Sequence, residues 1–162
     1  PRSLSTAALI RHIEHRYHHS LRKTLPFMEK LSAKVSRVHG DRNPRLRELE
    51  TVVRELKDAL IPHLDREEQE LFPALTARSP AEAVVRRELT EMLEEHRGVG
   101  RLLLRMREAA ENFQSPPWAC STYRTLMTEL EHLEGDILRH VHLENHVLMP
   151  RFGSMEHAQS AA

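Results

Sequence analysis

The pattern His-x3-Glu-x5-Pro occurs twice in this chain, as HLDREEQELFP from His63 and as HVHLENHVLMP from His140. In each copy a Glu follows the His by four residues, Glu67 in the first and Glu144 in the second. On a helix this spacing places an imidazole and a carboxylate on one face, where both reach the same centre. The repeat therefore indicates two matching halves of one site for metal binding or acid–base chemistry.

The composition restricts the ligands that such a site offers. The chain of 162 residues contains 12 His but a single Cys, Cys120. One Cys excludes both a disulfide framework and a thiolate metal cage within the chain, which leaves nitrogen and oxygen as ligands. A scattered set of surface histidines is the alternative interpretation of the His surplus.

Charge and hydropathy disfavour two classes of partner. Lys plus Arg and Asp plus Glu number 24 each, so the chain has no overall charge bias toward nucleic acid or an anionic membrane. No apolar run reaches the roughly 18 residues of a membrane span, and no signal-peptide core is present. We therefore expect a cytoplasmic protein with no nucleic-acid or membrane partner.

The helix breakers and the apolar periodicity predict an all-α fold. The chain has only 5 Gly, 1 Trp, 2 Tyr and 4 Phe, which disfavours a sheet-rich fold. Breakers separate four long segments with helical rather than alternating periodicity. We predict a single domain over residues 1–162, an antiparallel up-down-up-down four-helix bundle. Its helices are predicted at 4–38, 44–76, 80–114 and 117–150.

Prolines mark two kinds of position in these helices. Ser79 and Pro80 are expected to start the third helix. Pro26 and Pro62 fall inside the first and second helices, where each removes an N–H donor. We expect both prolines to bend their helices without breaking them.

Helical periodicity also predicts which polar side chains point into the bundle. At about 100° per residue, one His of each helix falls on or beside the apolar stripe, and in the second and fourth helices a Glu follows one turn later. Such polar residues inside an apolar bundle are costly unless they share a partner. The predicted inward-facing set is His18, His63, Glu67, His96, His140 and Glu144.

Position along the bundle gives an independent test of this set. At 1.5 Å per residue, the four histidines fall in one layer about 10 Å thick, roughly 20 Å from one end of the bundle. The second and fourth helices run in the same direction, so identical spacing places their His–Glu pairs at one level. His39 fails the test, since it lies about 30 Å along a helix from His18, near the opposite loop.

Four imidazoles and two central carboxylates define the kind of metal that is expected. Nitrogen and oxygen ligands without thiolate suit iron or manganese, whereas a lone zinc ion needs only four ligands. Carboxylates in the middle of the layer are natural bridges between two metals. We predict a dinuclear site that holds iron, although ligand type alone does not separate iron from manganese. The alternative is a metal-free network of buried His–Glu pairs.

Several stretches resemble the hemerythrin-like (HHE) family, and within it the repair-of-iron-centres group. These stretches are RYHHSLRKTLP (16–26), KVSRVHGD (34–41), HLDREEQELFP, EEHRGVG (94–100), PPWACSTY (116–123) and HVHLENHVLMPR. The resemblance implies two iron ions inside a four-helix bundle, bridged by carboxylates and by an oxo or hydroxo group. The positions that match the group's iron ligands are His18, His63, His96 and His140, with Glu67 and Glu144 as the bridges.

The chain departs from the family pattern in two respects. Oxygen-carrying hemerythrins have a second His one turn after the third-helix ligand, where this chain has Gly100. An open iron position follows, which favours nitric oxide binding, reaction or iron release over pure oxygen carriage. The group's N-terminal cysteine-containing domain has no counterpart in this sequence. We therefore expect either an excised core or a relative that consists of the bundle alone.

The resemblance implies a non-haem di-iron protein of the nitrosative and oxidative stress response. Such a protein binds or reduces nitric oxide, donates iron for repair of iron–sulfur clusters, or does both. Its partners would be nitric oxide, oxygen and damaged iron–sulfur proteins. The alternative is a non-catalytic sensor or scavenger of oxygen or nitric oxide, and the residues leave enzymatic activity open.

The neighbours of the predicted ligands have expected roles of their own. Tyr17 is expected to pack in the core beside the site. Asp136 and Glu14, each one turn before a predicted ligand, are candidates to orient His140 and His18, with a solvated role equally compatible. The remaining neighbours carry simpler expectations: solvated carboxylates for Glu68 and Glu95, surface positions for His142 and His146, and a small buried apolar role for Cys120.

Overall fold

The computed structural model describes residues 3–78 and 81–153 of the chain. These residues form four long helices and contain no strand, which confirms the predicted all-α bundle. We label the helices in chain order. They are α1 (residues 6–39), α2 (residues 45–76), α3 (Glu82–Ala109) and α4 (residues 121–152).

Three of the four helices contain a π-helical turn, in which one residue more than usual fits into the turn. In α1 the turn Glu14–His18 separates Thr6–Ile13 from His19–His39. In α2 the turn Glu67–Leu71 separates Arg45–Arg66 from Phe72–Thr76. In α4 the turn Glu144–Leu148 joins Ser121–Leu143 to a closing 3-10 turn, Met149–Phe152. Single π-helical turns of this kind are rare and occur mainly at functional sites.

The observed helix ends have local causes that the periodicity does not reveal. Ser5 begins α1 because its hydroxyl oxygen accepts a hydrogen bond from the backbone N–H of Ala8, 3.2 Å away. The prediction that the third helix extends to residue 114 is wrong, because Glu111, Asn112 and Phe113 have positive φ angles of 51°, 56° and 60°. A left-handed backbone does not continue a helix.

The remaining boundaries differ from the predictions by smaller amounts. The fourth helix begins at Ser121 and not at residue 117, since the preceding Cys120 has an extended backbone with φ −71° and ψ 168°. The predicted start of α3 at Ser79 and Pro80 lies outside the described residues. Both internal prolines lie within continuous helix, Pro26 in His19–His39 and Pro62 in Arg45–Arg66, so neither breaks its helix, as predicted.

The apolar stripes of the four helices meet in one core. Leu25, Leu56 and Leu130 are completely buried, and Leu103 is nearly so. Burial of one such side chain contributes about 1.5–3 kcal/mol. A polar layer interrupts this core toward the end where α1 begins and α4 ends. Buried apolar residues such as Ile13 lie between the layer and that end of the bundle. None of the helices in residues 3–78 and 81–153 combines the length and the hydropathy that a bilayer crossing requires.

Candidate metal centre

The polar layer consists of the six side chains that the sequence predicts to face inward. Each of them is at most 5% exposed. The structure therefore brings all six together: His18, His63, Glu67, His96, His140 and Glu144.

The six side chains form two overlapping groups of four. One group contains His18 and His140, the other contains His63 and His96, and both contain Glu67 and Glu144. Within each group, one donor atom from every residue lies within 4.8 Å of the others. The Nε2 atoms of His18 and His140 are 3.0 Å apart, and those of His63 and His96 are 3.2 Å apart. The layer thus has two positions, each with two imidazoles of its own, and two carboxylates that both positions share.

The π-helical turns lie at the ligands themselves. Glu67 and Glu144 each begin such a turn, and His18 ends one. The i, i+4 pairs remain close, with His63 Nε2 3.4 Å from Glu67 Oε1 and His140 Nε2 2.9 Å from Glu144 Oε1. Because a π-helical turn changes the angle between successive side chains, the residues after Glu67 and Glu144 depart from the directions expected for a regular α-helix.

Three of the four imidazoles donate their outer N–H to a side-chain oxygen. Nδ1 of His18 donates to Glu68 Oε1 over 2.8 Å, and Nδ1 of His63 donates to Glu95 Oε2 over 2.7 Å. Nδ1 of His96 donates to Asn145 Oδ1 over 2.8 Å. A proton on Nδ1 leaves the lone pair of Nε2 directed into the layer, which is the tautomer that a metal ligand requires.

The expected orienting residues differ from the observed ones. The expectation that Glu68 and Glu95 are simply solvated is wrong, since both accept from buried imidazoles although each side chain remains about one-third exposed. Glu68 and not Glu14 is the observed partner of His18. Asp136 does not reach His140; its Oδ1 accepts from Arg139 Nη2 over 2.8 Å and lies 3.9 Å from Arg16.

His140 is the exception among the four imidazoles. Its ring is fully buried, and its Nδ1 has no hydrogen-bond partner among the described residues. The neighbouring Tyr17 stacks on it, with ring centroids 5.8 Å apart and an angle of 24° between the planes. This contact agrees with the packing role expected for Tyr17.

Two arginines hold the orienting carboxylates from outside. Arg22 lies 3.2 Å from Glu68 Oε2, and Arg66 donates to Glu95 Oε1 over 2.9 Å. In each case an arginine pairs with a carboxylate, and that carboxylate accepts a hydrogen bond from a buried imidazole. The hydrogen bond from His63 lowers the pKa of Glu95 below its ordinary value, which keeps this carboxylate ionised.

The charge balance of the layer favours cations. Burial alone would lower the pKa of His18, but the nearby carboxylates of Glu144 and Glu67, 3.9 Å and 3.4 Å from its Nε2, raise it to about 10. The same competition raises the pKa values of His63 and His96. Burial would raise the pKa of Glu144, but the adjacent His140 and the other imidazoles hold it well below its ordinary value. The ionised carboxylate of Glu144 thus lies in the core and attracts positive charge.

The donor set fits a metal pair in one further respect. Both carboxylate oxygens of Glu67 and of Glu144 are buried and accept no hydrogen bond from any of the described residues. A buried ionised carboxylate without a donor is costly unless a cation neutralises it. Gly100 contributes no side chain here, and a Cβ atom placed on it would meet no atom within 4 Å.

The other residues singled out in the sequence lie elsewhere. His39 is at the opposite end of the bundle, with its Nε2 3.2 Å from Cys120 Sγ and its ring stacked on Tyr123, which confirms its exclusion from the layer. Cys120 is exposed, so the expectation that it is buried is wrong. His142 and His146 are exposed, as expected.

Comparison with known families identifies the class of protein. The Hemerythrin HHE cation binding domain matches residues 9–152, a range that contains the whole polar layer. The chain belongs to this family of cation-binding domains.

Curated relatives show which members of this family the chain resembles. The iron-sulfur cluster repair protein ScdA of Staphylococcus haemolyticus is 35% identical over 151 residues, which are 92% of this chain and 68% of the relative. ScdA of Staphylococcus epidermidis is 31% identical over 153 residues, 93% of this chain and 68% of the relative. The iron-sulfur cluster repair protein YtfE of Escherichia coli is 34% identical over 150 residues, 93% of this chain and 67% of the relative. These relatives confirm the predicted resemblance to the repair-of-iron-centres group.

Proposed function

We propose that the polar layer holds two iron ions and that the protein serves in the repair of iron–sulfur clusters under nitrosative or oxidative stress. The observation that carries the proposal is the pair of buried carboxylates, Glu67 and Glu144, whose four oxygens accept no hydrogen bond from the described residues. Four imidazole Nε2 atoms surround these oxygens. The proposed repair role is supported by the similarity to the iron-sulfur cluster repair proteins ScdA and YtfE.

The chemistry of the donor set favours iron over the common alternatives. It offers imidazole nitrogen and carboxylate oxygen with no thiolate, which suits iron or manganese and exceeds the four ligands of a single zinc ion. Glu67 and Glu144 belong to both groups of four and would bridge the two ions. Each ion would then have four protein donors, which leaves coordination positions open for a small molecule.

The residues of the chain have distinct roles in this proposal. His18 and His140 would hold one ion, and His63 and His96 the other. Glu68, Glu95 and Asn145 fix imidazole tautomers through their hydrogen bonds to Nδ1. When bound, the iron supplies the redox chemistry and the affinity for nitric oxide or oxygen. The six side chains of the layer are almost completely buried, which restricts the access of water.

The finer activity that we propose is nitric oxide binding together with donation of iron to damaged iron–sulfur proteins. Carboxylates bind iron but do not form the strong bonds that thiolates make, so a site of this kind can release an ion to an acceptor. The shared use of two carboxylates means that loss of one of them weakens both positions at once.

The experiment that tests the proposal compares two matched glutamates of one π-helical turn. Glu67 is buried in the layer, whereas Glu70 is exposed. The protein and its Glu67→Leu and Glu70→Leu variants are loaded anaerobically with ferrous iron, and bound metal is measured after desalting. We expect two irons per chain in the parent and in Glu70→Leu, and at most one in Glu67→Leu.

The repair role is then tested with the same three proteins. Each is mixed under reducing conditions with an iron–sulfur enzyme whose cluster nitric oxide has damaged, and recovery of that enzyme's activity is measured. We expect recovery with the parent and Glu70→Leu but not with Glu67→Leu. A parent protein that binds no iron would contradict the metal centre. One that binds two irons and restores nothing would contradict the repair role alone.

A further inference from the structure

The two halves of the metal centre are built on a repeated plan but differ at the supporting positions. Glu68 directly follows the shared carboxylate of α2, and Asn145 directly follows that of α4. On the other two helices, Tyr17 directly precedes the inward His of α1, and Glu95 directly precedes that of α3. Each of the four supporting residues therefore has an equivalent in the other half.

The residues that follow the shared carboxylates act alike. Glu68 Oε1 accepts from His18 Nδ1, and Asn145 Oδ1 accepts from His96 Nδ1, both over 2.8 Å. Each thus reaches across to the imidazole of a different helix. One is a carboxylate and the other an amide, but both provide an oxygen at hydrogen-bonding distance.

The residues that precede the inward histidines act differently. Glu95 Oε2 accepts from His63 Nδ1 over 2.7 Å. Tyr17, at the equivalent place, stacks its ring on His140 and provides no acceptor for Nδ1. Asp136, one turn before His140, is paired with arginines and gives no acceptor either.

The two metal positions consequently differ in support. At the position of His63 and His96, both imidazoles have a hydrogen-bonded Nδ1. At the position of His18 and His140, only His18 does, and His140 is held by packing. Loss of such an outer hydrogen bond lowers metal affinity by about 10- to 100-fold in comparable sites.

We infer that the two iron positions differ in lability and that the iron held by His18 and His140 is the one that the protein gives up to an acceptor. This inference rests on the proposed function, because it assigns the donated iron to one of the two positions. Release involves no change in oxidation state. Coordination bonds to two Nε2 atoms and to the shared carboxylates break, and the ferrous ion forms new bonds to the acceptor.

Iron release to a chelator tests the inference without any measurement of repair activity. The reduced protein with two bound irons is mixed anaerobically with excess ferrozine, and the coloured ferrous complex is followed with time. We expect two kinetic phases of one iron each, separated by about tenfold or more in rate.

Two matched variants assign the phases to positions. Glu68 and Glu95 have nearly the same side-chain exposure, 33% and 34%, and each accepts from one buried imidazole and pairs with one arginine. Glu95→Ala is expected to accelerate the slow phase about tenfold, so that the two phases converge. Glu68→Ala is expected to accelerate the fast phase, so that they separate further. Asn145→Ala should act like Glu95→Ala.

The opposite results would overturn the inference. A single phase in the parent protein carrying two irons would show that the positions are equivalent. If Glu95→Ala accelerates the fast phase and Glu68→Ala accelerates the slow phase, the labile iron is the one held by His63 and His96, contrary to the inference. A parent protein that never binds two irons would contradict the proposed function instead, so the two failures are distinguishable.

Discussion

The two ends of the bundle both place histidine beside aromatic rings, yet only one of them resembles a metal site. At the end where α1 leads into α2, which we call the loop end, His39 contacts Cys120 Sγ and lies against the rings of Trp118 and Tyr123. At the other end, His18 and its counterparts surround two carboxylates that have no hydrogen-bond donor among the described residues. The number of histidines is therefore less informative than the buried charge beside them.

The polar side chains near His39 have hydrogen-bond partners or are exposed to water. Asn43 donates from its side-chain amide to the hydroxyl oxygen of Tyr123 and to Glu111 Oε2, both over 3.1 Å. Glu111 is exposed to water and does not need a cation. In the metal layer, no donor among the described residues forms a hydrogen bond with either buried carboxylate. A buried charge of this kind is stable only with a positive partner.

Substitution of one histidine at each end is the most direct test of whether only one end binds iron. His63→Ala removes one of two imidazoles from a metal position and is expected to reduce bound iron from two per chain to one. His39→Ala is expected to retain two irons, because its ring contacts no residue of the layer. Metal analysis after desalting distinguishes the two variants.

The second half of this test is thermal stability. His39→Ala removes the stacking on Tyr123 and is expected to lower the midpoint of unfolding by a few degrees, for a loss on the order of 1 kcal/mol. Loss of iron in His39→Ala would show that the loop end contributes to the metal site, against our interpretation.

Removal of iron is expected to destabilise one end of the bundle more than the other. Ions that bind only the folded state stabilise it by about 2.7 kcal/mol when free iron is a hundredfold above the dissociation constant. We expect iron removal to accelerate amide hydrogen exchange mainly in the π-helical turns Glu67–Leu71 and Glu144–Leu148. Exchange in the part of α2 that begins at Arg45 should change little.

The Glu67→Leu variant is the control for this measurement, because its exchange should depend much less on added iron than that of the parent. Uniform acceleration along all four helices would instead indicate that iron stabilises the bundle as a whole and that the two ends are not separate in stability.

A smaller effect is expected from pH in the iron-free protein. The folded state raises the pKa of His18 from 6.5 to about 10, so the charged imidazole stabilises the fold fully below pH 6.5. This contribution is lost as pH rises through 10. We therefore expect the free energy of unfolding to fall between these values, by at most about 1.4 kcal/mol per pH unit for one group.

Urea unfolding at several pH values measures this decline. In His18→Gln the slope should be shallower, although His63 and His96 also have raised pKa values and should preserve part of it. A stability that increases over the same pH range in the iron-free parent would contradict the ion pairing described for the layer.

The predictions from sequence succeeded where they depended on spacing within one helix. The polar layer follows from two His–Glu pairs, from the apolar stripes and from residue counts along antiparallel helices. These quantities depend only on the rise and the angular step of a helix, which are nearly constant. The same reasoning placed His39 outside the layer.

The predictions failed where the helix departs from constant geometry. Glu68 and Glu95 were expected to be solvated because a regular α-helix turns them away from the core. The π-helical turn that begins at Glu67 invalidates that angle for Glu68, and the close approach of α2 to α3 brings Glu95 to His63. The end of α3 was missed because nothing in its periodicity indicates the left-handed backbone of Glu111 to Phe113.

The sequence by itself determined the bundle, the six side chains of the layer and the kind of ligand atoms that they offer. Only the tertiary structure decided which residue supports each imidazole, and that His140 lacks the acceptor that His18, His63 and His96 have. The physical reason is that the first set of features depends on geometry within one helix, whereas the second depends on geometry between helices. Position and facing are properties of a single helix, whereas a hydrogen bond of 2.8 Å between helices depends on their packing to within a fraction of an ångström.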